Sequence, residues 1–240
     1  MSLLAVDGLT KAFGGVQAVN ACSFTVDDGT ITALIGPNGS GKTTIFNIIT
    51  GYLRADAGHV HFAGRDVTGH GTGRLYRHGL SRTFQQARVF PHLTVLENLV
   101  VARGYRLPQL FGRRLAGADL ASQLLADFRL EPLASSLASE LSYGQRKLLE
   151  FAAVLMSSPR LVLLDEPTAG VNPVLVETME RHIRDRHAAG VTFLIVEHDM
   201  TFVMRLCDPV IVLDAGRPVF AGPPSAVQRS PVVLEAYLGA

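Results

Sequence analysis

The segment "GPNGSGKTT", residues 36–44, combines glycines, a lysine and hydroxyl side chains at the spacing of a phosphate-binding loop. The glycines let successive backbone N–H groups curve around phosphate oxygens, and the start of the following helix adds partial positive charge. Lys42 can reach the terminal phosphates, and the hydroxyl of Thr43 can ligate Mg²⁺. We therefore predict a phosphate site made of Gly36, Pro37, Asn38, Gly39, Ser40, Gly41, Lys42, Thr43 and Thr44.

Two acids follow the apolar run "LVLL", which is typical of a central parallel strand buried on both faces. Asp165 is placed to hold a metal ion through a bound water. Glu166 comes next and points in a different direction, because neighbouring residues of an extended chain face opposite sides. Glu166 can therefore polarise a water for attack on a γ-phosphate.

His198 and Gln85 follow further extended segments, "TFLIV" for His198 and "RTF" for Gln85. In a parallel sheet, ligands bind at the carboxyl ends of the strands. We expect Gln85, His198 and the two acids to converge with the phosphate loop at one edge of the sheet, where His198 can donate a hydrogen bond to the γ-phosphate. Together these residues predict a Mg²⁺-dependent nucleotide hydrolase.

The elements that must position these residues alternate between strands and helices. Residues 1–35 are predicted to form strands, and an apolar helix is expected from residue 42 to about residue 50. Another helix is expected to open at the capping box Thr94-x-x-Glu97, and a third at Pro173. The order strand, helix, strand predicts a parallel sheet with helices on both faces.

The segment between these two helices has a different pattern. Residues 119–157 show mainly helical patterning. Residues 104–118 combine glycines, a proline and clustered arginines, and we expect an irregular connection there. A short hairpin is expected earlier, around Ala63–Gly64.

The composition is that of a globular protein, with 48% hydrophobic and 18% charged residues among 240. The net charge of +1 leaves no basic footprint for nucleic acid, so no nucleic-acid partner is expected. Cys22 and Cys207 are expected to be packed, reduced thiols of a cytosolic protein. We see no signal peptide, and the apolar runs fall short of the ~20 residues that span a bilayer. A link to a membrane is therefore expected to run through a partner.

The ordered set "GPNGSGKTT", "TFQQ", "LSYGQ", "LVLLDEP", "TAGVNP" and "VEHD" resembles the ATP-binding subunits of ABC transporters over essentially the whole chain. The resemblance implies an α/β fold of the P-loop NTPase, ABC-ATPase type. Such a fold has a RecA-like core, an N-terminal antiparallel β-subdomain and an α-helical signature subdomain. One ATP-binding domain would span residues 1–240, with its helical subdomain at about 88–158.

The resemblance also implies ATP and Mg²⁺ as cofactors and assigns roles around them. Phe13, in "KAFGG", would stack on adenine, for which an aromatic face suffices. Gln85 would sense Mg²⁺ and the attacking water, with Gln86 as the alternative. Glu166 and His198 would act with Gln85 in hydrolysis. The predicted metal-binding residues are Thr43, Gln85 and Asp165.

The segment "LSYGQ" resembles the signature motif, which binds the γ-phosphate of ATP held by a partner subunit. Ser142 and Gln145 have capping-box spacing, so Ser142, Gly144 and the first helical N–H groups would form a second anion site. Two such chains would hold ATP between them head to tail. Tyr143 stands where the family usually has glycine, and its ring is expected to face the partner or the helical lobe.

A second departure lies in the loop "AGVNP", where Asn172 replaces the usual aspartate. Asn172 can still cap the next helix, with Pro173 at its first position. The lost negative charge puts in doubt the contact that this residue usually makes across the dimer.

Details of these motifs resemble the ATPase subunits of high-affinity branched-chain amino acid importers. The expected partners are a second ATP-binding subunit, identical or different, transmembrane permease subunits and, indirectly, a solute-binding protein. The chain would lie on the cytoplasmic face of the inner or plasma membrane, where Phe90 and Leu93 are candidates for the permease contact. Alternatives are a lipid or lipopolysaccharide exporter and a soluble ABC ATPase that serves no transporter.

Overall fold

The computed structural model describes residues 1–104 and 117–238. Most of the irregular connection expected at 104–118 lies outside the described residues. Two β-sheets organise the rest, one of four strands and one of six. Cys22 and Cys207 are both buried and free, as expected.

The four-stranded sheet is antiparallel and has the strand order β2-β1-β4-β5. Its strands are β1 (Ser2–Phe13), β2 (Val16–Asp27), β4 (Ala57–Phe62) and β5 (Arg65–Asp66). The hairpin expected around Ala63–Gly64 joins β4 and β5, and both turn residues have positive φ, 51° and 75°. Two residues with positive φ match the right-handed twist of the flanking strands. The predicted hairpin is therefore confirmed.

The six-stranded sheet has the order β10-β9-β3-β8-β7-β6, and only β10 runs antiparallel to its neighbour. All residues of β3, β7 and β8 are buried, which explains why their sequences are almost entirely apolar. The strands are β3 (Ile31–Ile35), β6 (Leu80–Arg82), β7 (Leu161–Asp165), β8 (Thr192–Val196), β9 (Val210–Asp214) and β10 (Arg217–Gly222).

Helices cover this sheet, and those expected from the sequence begin where the motifs indicate. The Thr94–Glu97 capping box is formed in full at the start of α3. The helices are α1 (Lys42–Ile49), α2 (Thr72–Arg77), α3 (Val95–Ala102), α4 (Ala118–Asp127), α5 (Tyr143–Leu155), α6 (Pro173–Ala188), α7 (Met200–Leu206), α8 (Pro224–Val227) and α9 (Pro231–Leu238). Within the described part of the chain, each helix is too short or too polar to cross a bilayer.

Two hydrophobic cores lie on opposite faces of the parallel sheet. One joins the antiparallel sheet to α1, with Leu4, Phe46 and Phe62 among its fully buried side chains. The other joins α3, α4, α5 and α6, with Phe128 and Phe151 at its centre. The described residues between β6 and β7 form helices and two 3₁₀ turns, in the interval where the sequence predicts a helical subdomain.

Four adjacent parallel strands, β3, β8, β7 and β6, present their carboxyl ends at one edge. The phosphate loop follows β3, and the segment of His198 follows β8. Asp165 ends β7, and Gln85 comes shortly after β6. The strand order thus gathers four segments that are distant in sequence at one edge of the sheet.

Candidate functional site

The phosphate loop can only be built from glycine at two of its positions. Gly36 has φ 151°, and a Cβ there would lie 2.2 Å from the carbonyl oxygen of Leu213. Gly41 has φ 97°, and its Cβ would lie 2.4 Å from the carbonyl oxygen of Ala18. Gly41 is also the N-cap of α1 and provides no side-chain cap, so the first N–H groups of the helix are left to a ligand.

Lys42 is the buried cation of this loop, with 6% of its surface exposed. Its Nζ donates hydrogen bonds to the carbonyl oxygens of Gly36 at 2.7 Å and Pro37 at 2.8 Å. Burial lowers the pKa of Lys42, and the negative charge of Glu166 opposes that shift. The ammonium group is therefore held against the loop and lies within the electrostatic influence of Glu166.

Glu166 is held between the two other residues expected to act in hydrolysis. Its Oε2 accepts a hydrogen bond from Nε2 of Gln85 at 2.7 Å, and its Oε1 lies 3.0 Å from Nε2 of His198. Glu166 has φ 47°, a conformation that costs a residue other than glycine about 1 kcal/mol or more. The structure thus brings Gln85, Glu166 and His198 together, and the strained backbone aims the carboxylate between its two neighbours.

Asp165 is paired with an arginine that the motifs do not include. Nη2 of Arg82 donates to Oδ2 of Asp165 at 2.6 Å, and both side chains are nearly buried. Nη1 of the same guanidinium donates to the side chains of Asn47 at 2.7 Å and Thr50 at 3.1 Å. Arg82 therefore fixes the orientation of the Asp165 carboxylate. An arginine at the end of β6 becomes significant only once β6 is known to pair with β7.

The three residues predicted to bind a metal line one cavity. Thr43, Gln85 and Asp165 share a cavity of about 520 Å³ with Asn47 and Arg82. Their hydroxyl, amide and carboxylate oxygens are hard donors, the type that Mg²⁺ prefers. The donor set therefore fits Mg²⁺, with Asp165 close to the phosphate loop.

Phe13 lies at the end of β1, where the chain turns into β2. Its ring is 50% exposed, and Nζ of Lys11 lies 5.7 Å from the ring centroid. β2, which follows this turn, passes close to the phosphate loop, because a Cβ at Gly41 would lie 2.4 Å from the carbonyl oxygen of Ala18. The exposed face of the Phe13 ring is available for stacking on a planar base.

The start of α5 forms the capping box that the sequence predicts. Oγ of Ser142 accepts from the backbone N–H of Gln145 at 3.3 Å, and Oε1 of Gln145 accepts from the N–H of Ser142 at 2.8 Å. Gly144 is the close-packed member of this turn, since a Cβ there would lie 2.4 Å from Cδ2 of Leu175 on α6. Ser142 itself is exposed, so the positive end of the α5 dipole faces outward.

The Tyr143 ring packs on Gly170 of its own chain and is 37% exposed. That the ring faces the partner or the helical lobe stays a prediction. Cε1 of the ring would lie 3.4 Å from a Cβ at Gly170, and the hydroxyl lies 3.3 Å from the carbonyl oxygen of Ala169. The hydroxyl is also 3.5 Å from the carbonyl oxygen of Gln85. The ring fits against Gly170 because this residue has no side chain to exclude it.

The loop after Glu166 ends at α6, and Asn172 caps that helix as expected. Its Oδ1 accepts from the N–H of Leu175 at 2.9 Å, with Pro173 at the first helical position. Glu197 fixes the earlier part of the loop, since its Oε1 accepts from the N–H and hydroxyl of Thr168 at 2.8 and 2.6 Å. Its other oxygen accepts from the N–H of His198 at 2.8 Å.

Sequence reasoning did not single out Glu197 as a functional residue. The available signal was an acidic residue placed directly after the four buried apolar residues that end β8. In the structure this carboxylate ties the loop after Glu166 to the segment that carries His198. Glu197 therefore helps to set the distance between Glu166 and His198.

Comparison with known proteins agrees with this geometry. The chain matches the family described as "ABC transporter" over residues 19–169. It is 36% identical to the high-affinity branched-chain amino acid transport ATP-binding protein BraF of Pseudomonas aeruginosa, over 99% of this chain and 98% of that protein. It is 38% identical to the probable branched-chain amino acid transport ATP-binding protein LivG of Archaeoglobus fulgidus, over 100% of this chain and 96% of that protein.

Solved structures confirm the predicted fold class. A nucleotide-free ATP-binding cassette from an ABC transporter aligns with a TM-score of 0.89 and 35% identity over the whole of both chains. The ADP conformation of an ATP-binding cassette of an ABC transporter aligns with a TM-score of 0.88 and 35% identity, again over the whole of both chains. The full-length alignments, the phosphate loop and the convergent site agree, and the chain belongs to the ABC transporter family as one of its ATP-binding cassettes.

Proposed function

We propose that this chain is the ATP-hydrolysing subunit of an importer for branched-chain amino acids or similar small polar solutes. The observation that carries the hydrolytic part is the Glu166 carboxylate, held between Gln85 and His198 beside the phosphate loop. The importer part is supported by the names of the full-length relatives, which are branched-chain amino acid transport proteins. No observation on this chain favours an exporter.

In this proposal the phosphate loop holds the triphosphate of ATP. Backbone N–H groups of residues 36–44 and the start of α1 bind phosphate oxygens, and Lys42 turns its ammonium from the loop carbonyls to the terminal phosphates. Phe13 stacks on adenine. Thr43, Gln85 and Asp165 would hold Mg²⁺, which would supply neutralising charge for the phosphates.

Hydrolysis requires a group that accepts a proton from the attacking water. Glu166 has that role, because its carboxylate lies beside the loop and is oriented by contacts to both of its oxygens. Gln85 orients the water and the metal. His198 donates to the γ-phosphate and keeps Glu166 in place.

The second anion site, at the start of α5, is proposed to complete the ATP site of another subunit. Ser142, Tyr143, Gly144 and Gln145 lie on an accessible face that also lines a cavity of about 740 Å³. Two subunits arranged head to tail would each grip the ATP of the other, and hydrolysis would release them. The partner is a copy of this chain or a related ATP-binding subunit.

The remaining partners are those of a transporter. Permease subunits would hold the chain at the cytoplasmic face of the membrane, and a solute-binding protein would act through them. Phe90, which is 53% exposed, and the neighbouring Leu93 are the proposed permease contact. We propose a single ATP-binding domain over residues 1–240, with its helical subdomain at about 88–158.

Hydrolysis by the purified chain tests the enzymatic part of this proposal. The wild-type chain is expected to release phosphate from MgATP, and Glu166→Gln to lose ~100-fold or more in kcat while it still binds ATP. Glu177→Gln, on an exposed position of α6, is the matched control and should retain the wild-type rate. Undiminished hydrolysis by Glu166→Gln would remove Glu166 from its role.

Transport tests the substrate. The chain, reconstituted in proteoliposomes with its permease subunits and their solute-binding protein, is expected to drive ATP-dependent uptake of labelled leucine. Uptake of other solutes but not leucine would correct the substrate class. ATP-dependent release of lipid instead of uptake would favour the exporter.

A further inference from the structure

Two buried charged side chains, those of Lys147 and Glu150, lie one turn inside α5, directly below the signature residues. Lys147 and Glu150 are three residues apart, so they share a face of the helix, and only 2% and 4% of their surfaces are exposed. Both face residues 84–88, the segment that carries Gln85. Burial of two charges costs several kcal/mol unless their partners compensate, so the contacts that they make are informative.

Glu150 forms hydrogen bonds to both ends of this segment. Its Oε1 accepts hydrogen bonds from the backbone N–H of Phe84 at 3.2 Å and from the N–H of Arg88 at 3.0 Å. Gln85 lies between these two residues. One carboxylate oxygen therefore brings the two ends of the loop together, and the loop presents Gln85 to Glu166.

Lys147 holds the same loop from its other side. Its Nζ donates to the carbonyl oxygens of Phe84 at 3.3 Å and Glu166 at 3.4 Å. The backbone of Phe84 is thus bound through its N–H by Glu150 and through its carbonyl by Lys147. The contact with the carbonyl oxygen extends the arrangement to the backbone of Glu166.

The loop is also packed, because the Arg88 guanidinium stacks over the Phe84 ring at 3.9 Å from its centroid. Burial raises the pKa of Glu150 to about 7, while the N–H groups of Arg88 and Phe84 and the charge of Lys147 oppose that shift. The carboxylate is therefore retained at a site that disfavours its charge, where its hydrogen bonds to the loop are the compensating contacts.

We propose that Glu150 is a positioning residue for ATP hydrolysis: with Lys147 it fixes residues 84–88 on α5, so that Gln85 reaches Glu166. The helix that begins at Ser142 is then mechanically joined to the hydrolytic carboxylate. A rotation of α5, on engagement of the signature residues, would move Gln85 relative to Glu166. This inference rests on the proposed function, since it assigns Glu150 a part in the same hydrolysis.

Hydrogen exchange of the nucleotide-free protein tests the contact without any catalysis. Glu150→Ala removes the acceptor, and amide exchange in residues 84–88 is expected to become roughly tenfold faster, with residues 151–155 of α5 unaffected. Glu150→Gln keeps a side-chain oxygen at this position and should restore most of the protection. Exchange in 84–88 that Glu150→Ala leaves unchanged would overturn the proposal.

Kinetics then test the positioning. Glu150→Ala should lower kcat roughly 10- to 100-fold and leave the KM for ATP within roughly twofold, and Glu150→Gln should recover most of the kcat. Glu180→Ala is the matched control, because Glu180 is a buried, ion-paired glutamate on α6 away from the loop. It should lower stability without changing kcat or the exchange of 84–88.

The outcomes separate this inference from the proposed function. A wild-type chain that does not hydrolyse ATP would refute the proposed function, whereas exchange would still report on the loop. An active wild-type chain whose Glu150→Ala variant keeps its kcat would refute only the positioning role. Equal effects of Glu150→Ala and Glu180→Ala on kcat would also refute it, since both would then reflect lost stability.

Discussion

The two helices that begin at proposed anion sites, α1 and α5, differ in how the backbone N–H groups of their first turns are satisfied. α1 starts at Gly41 without any side-chain cap, whereas α5 starts at Ser142 with a complete capping box. Both N-termini carry partial positive charge. The first turn of α1 leaves its N–H groups to a ligand, and the first turn of α5 is partly satisfied by its own chain.

From this difference we expect the starts of α1 and α5 to contribute unequally to the affinity for ATP. At α1 the buried Lys42 and the tightly constrained glycines form a cradle in which the uncapped N–H groups of the helix are open to phosphate. At α5 the exposed Ser142 and its capping box form a stable surface, and we expect this surface to add less to the affinity for ATP. One chain should therefore bind ATP by α1 alone and need a second chain to use α5.

The largest expected effect is at α1. Lys42→Met removes the buried cation and should lower ATP affinity ~100-fold or more, because the terminal phosphates lose their charged partner. Equilibrium binding of a fluorescent ATP analogue measures this loss. Arg160→Met, at a 53% exposed side chain, is the control and should leave the affinity unchanged. If Lys42→Met lost less than threefold in ATP affinity, ATP binding would depend no more on α1 than on α5.

The next effect concerns the buried carboxylate of α5. The pKa of Glu150 is raised from 4.5 to about 7, so the folded state binds this proton more tightly than the unfolded state. Stability is therefore lost as pH rises through this window, and the loss is complete above the folded pKa. Glu150→Gln should gain about 2 kcal/mol over wild type between about pH 5.5 and pH 8.

Urea unfolding at both pH values measures this difference. The two curves should be closest at the acidic end, where the wild-type carboxyl is protonated in the folded state. A gap between wild type and Glu150→Gln that is the same at both pH values would contradict the burial of an ionisable Glu150. It would also mean that Glu150 inside α5 is as well compensated by its contacts as the capping box is at the start of the helix.

A smaller effect is expected at the start of α5. Ser142→Ala removes the N-cap and should cost about 1 kcal/mol of stability. ATP affinity of the single chain should stay within roughly twofold, while ATP-driven association of Glu166→Gln chains weakens by roughly tenfold. Sedimentation measures the association, with Ser139→Ala as the exposed control. A large loss of ATP affinity in Ser142→Ala would erase the difference between α1 and α5.

The smallest effect is expected at the Tyr143 hydroxyl, whose contacts of 3.3 and 3.5 Å are long. Tyr143→Phe should change stability by about 0.5 kcal/mol and leave ATP affinity intact. Tyr143→Ala, which also removes the ring from Gly170, should weaken ATP-driven association more than Tyr143→Phe. Calorimetric unfolding and sedimentation measure the two effects. Loss of ATP affinity in Tyr143→Phe would assign the hydroxyl to the nucleotide instead.

The sequence could predict those parts of the molecule whose structure depends on a few residues that are close together in the chain. The phosphate loop, the acids after "LVLL" and the capping boxes at Thr94 and Ser142 each depend on neighbours in sequence, which is why their local geometry was predictable. The convergence at one edge followed from the parallel strand order.

Other contacts depend on packing between distant segments. The bond from Arg82 to Asp165 needs the pairing of β6 with β7, and the hold of Glu150 on Phe84 needs a loop folded back onto α5. The Tyr143 ring lies on Gly170 because a glycine there leaves space, and its own segment does not specify that neighbour.

The most direct test of the account is the mass of Glu166→Gln in solution with MgATP and with MgADP. If the α1 site of one copy and the α5 site of another bind the same ATP, the protein should sediment near twice 25.8 kDa with MgATP. With MgADP it should sediment near 25.8 kDa. Conversion to the smaller species by the additional change Ser142→Ala would assign the association to α5. A chain that binds ATP stoichiometrically and yet remains a monomer at every concentration, both alone and when mixed with a related ATP-binding subunit, would contradict the account.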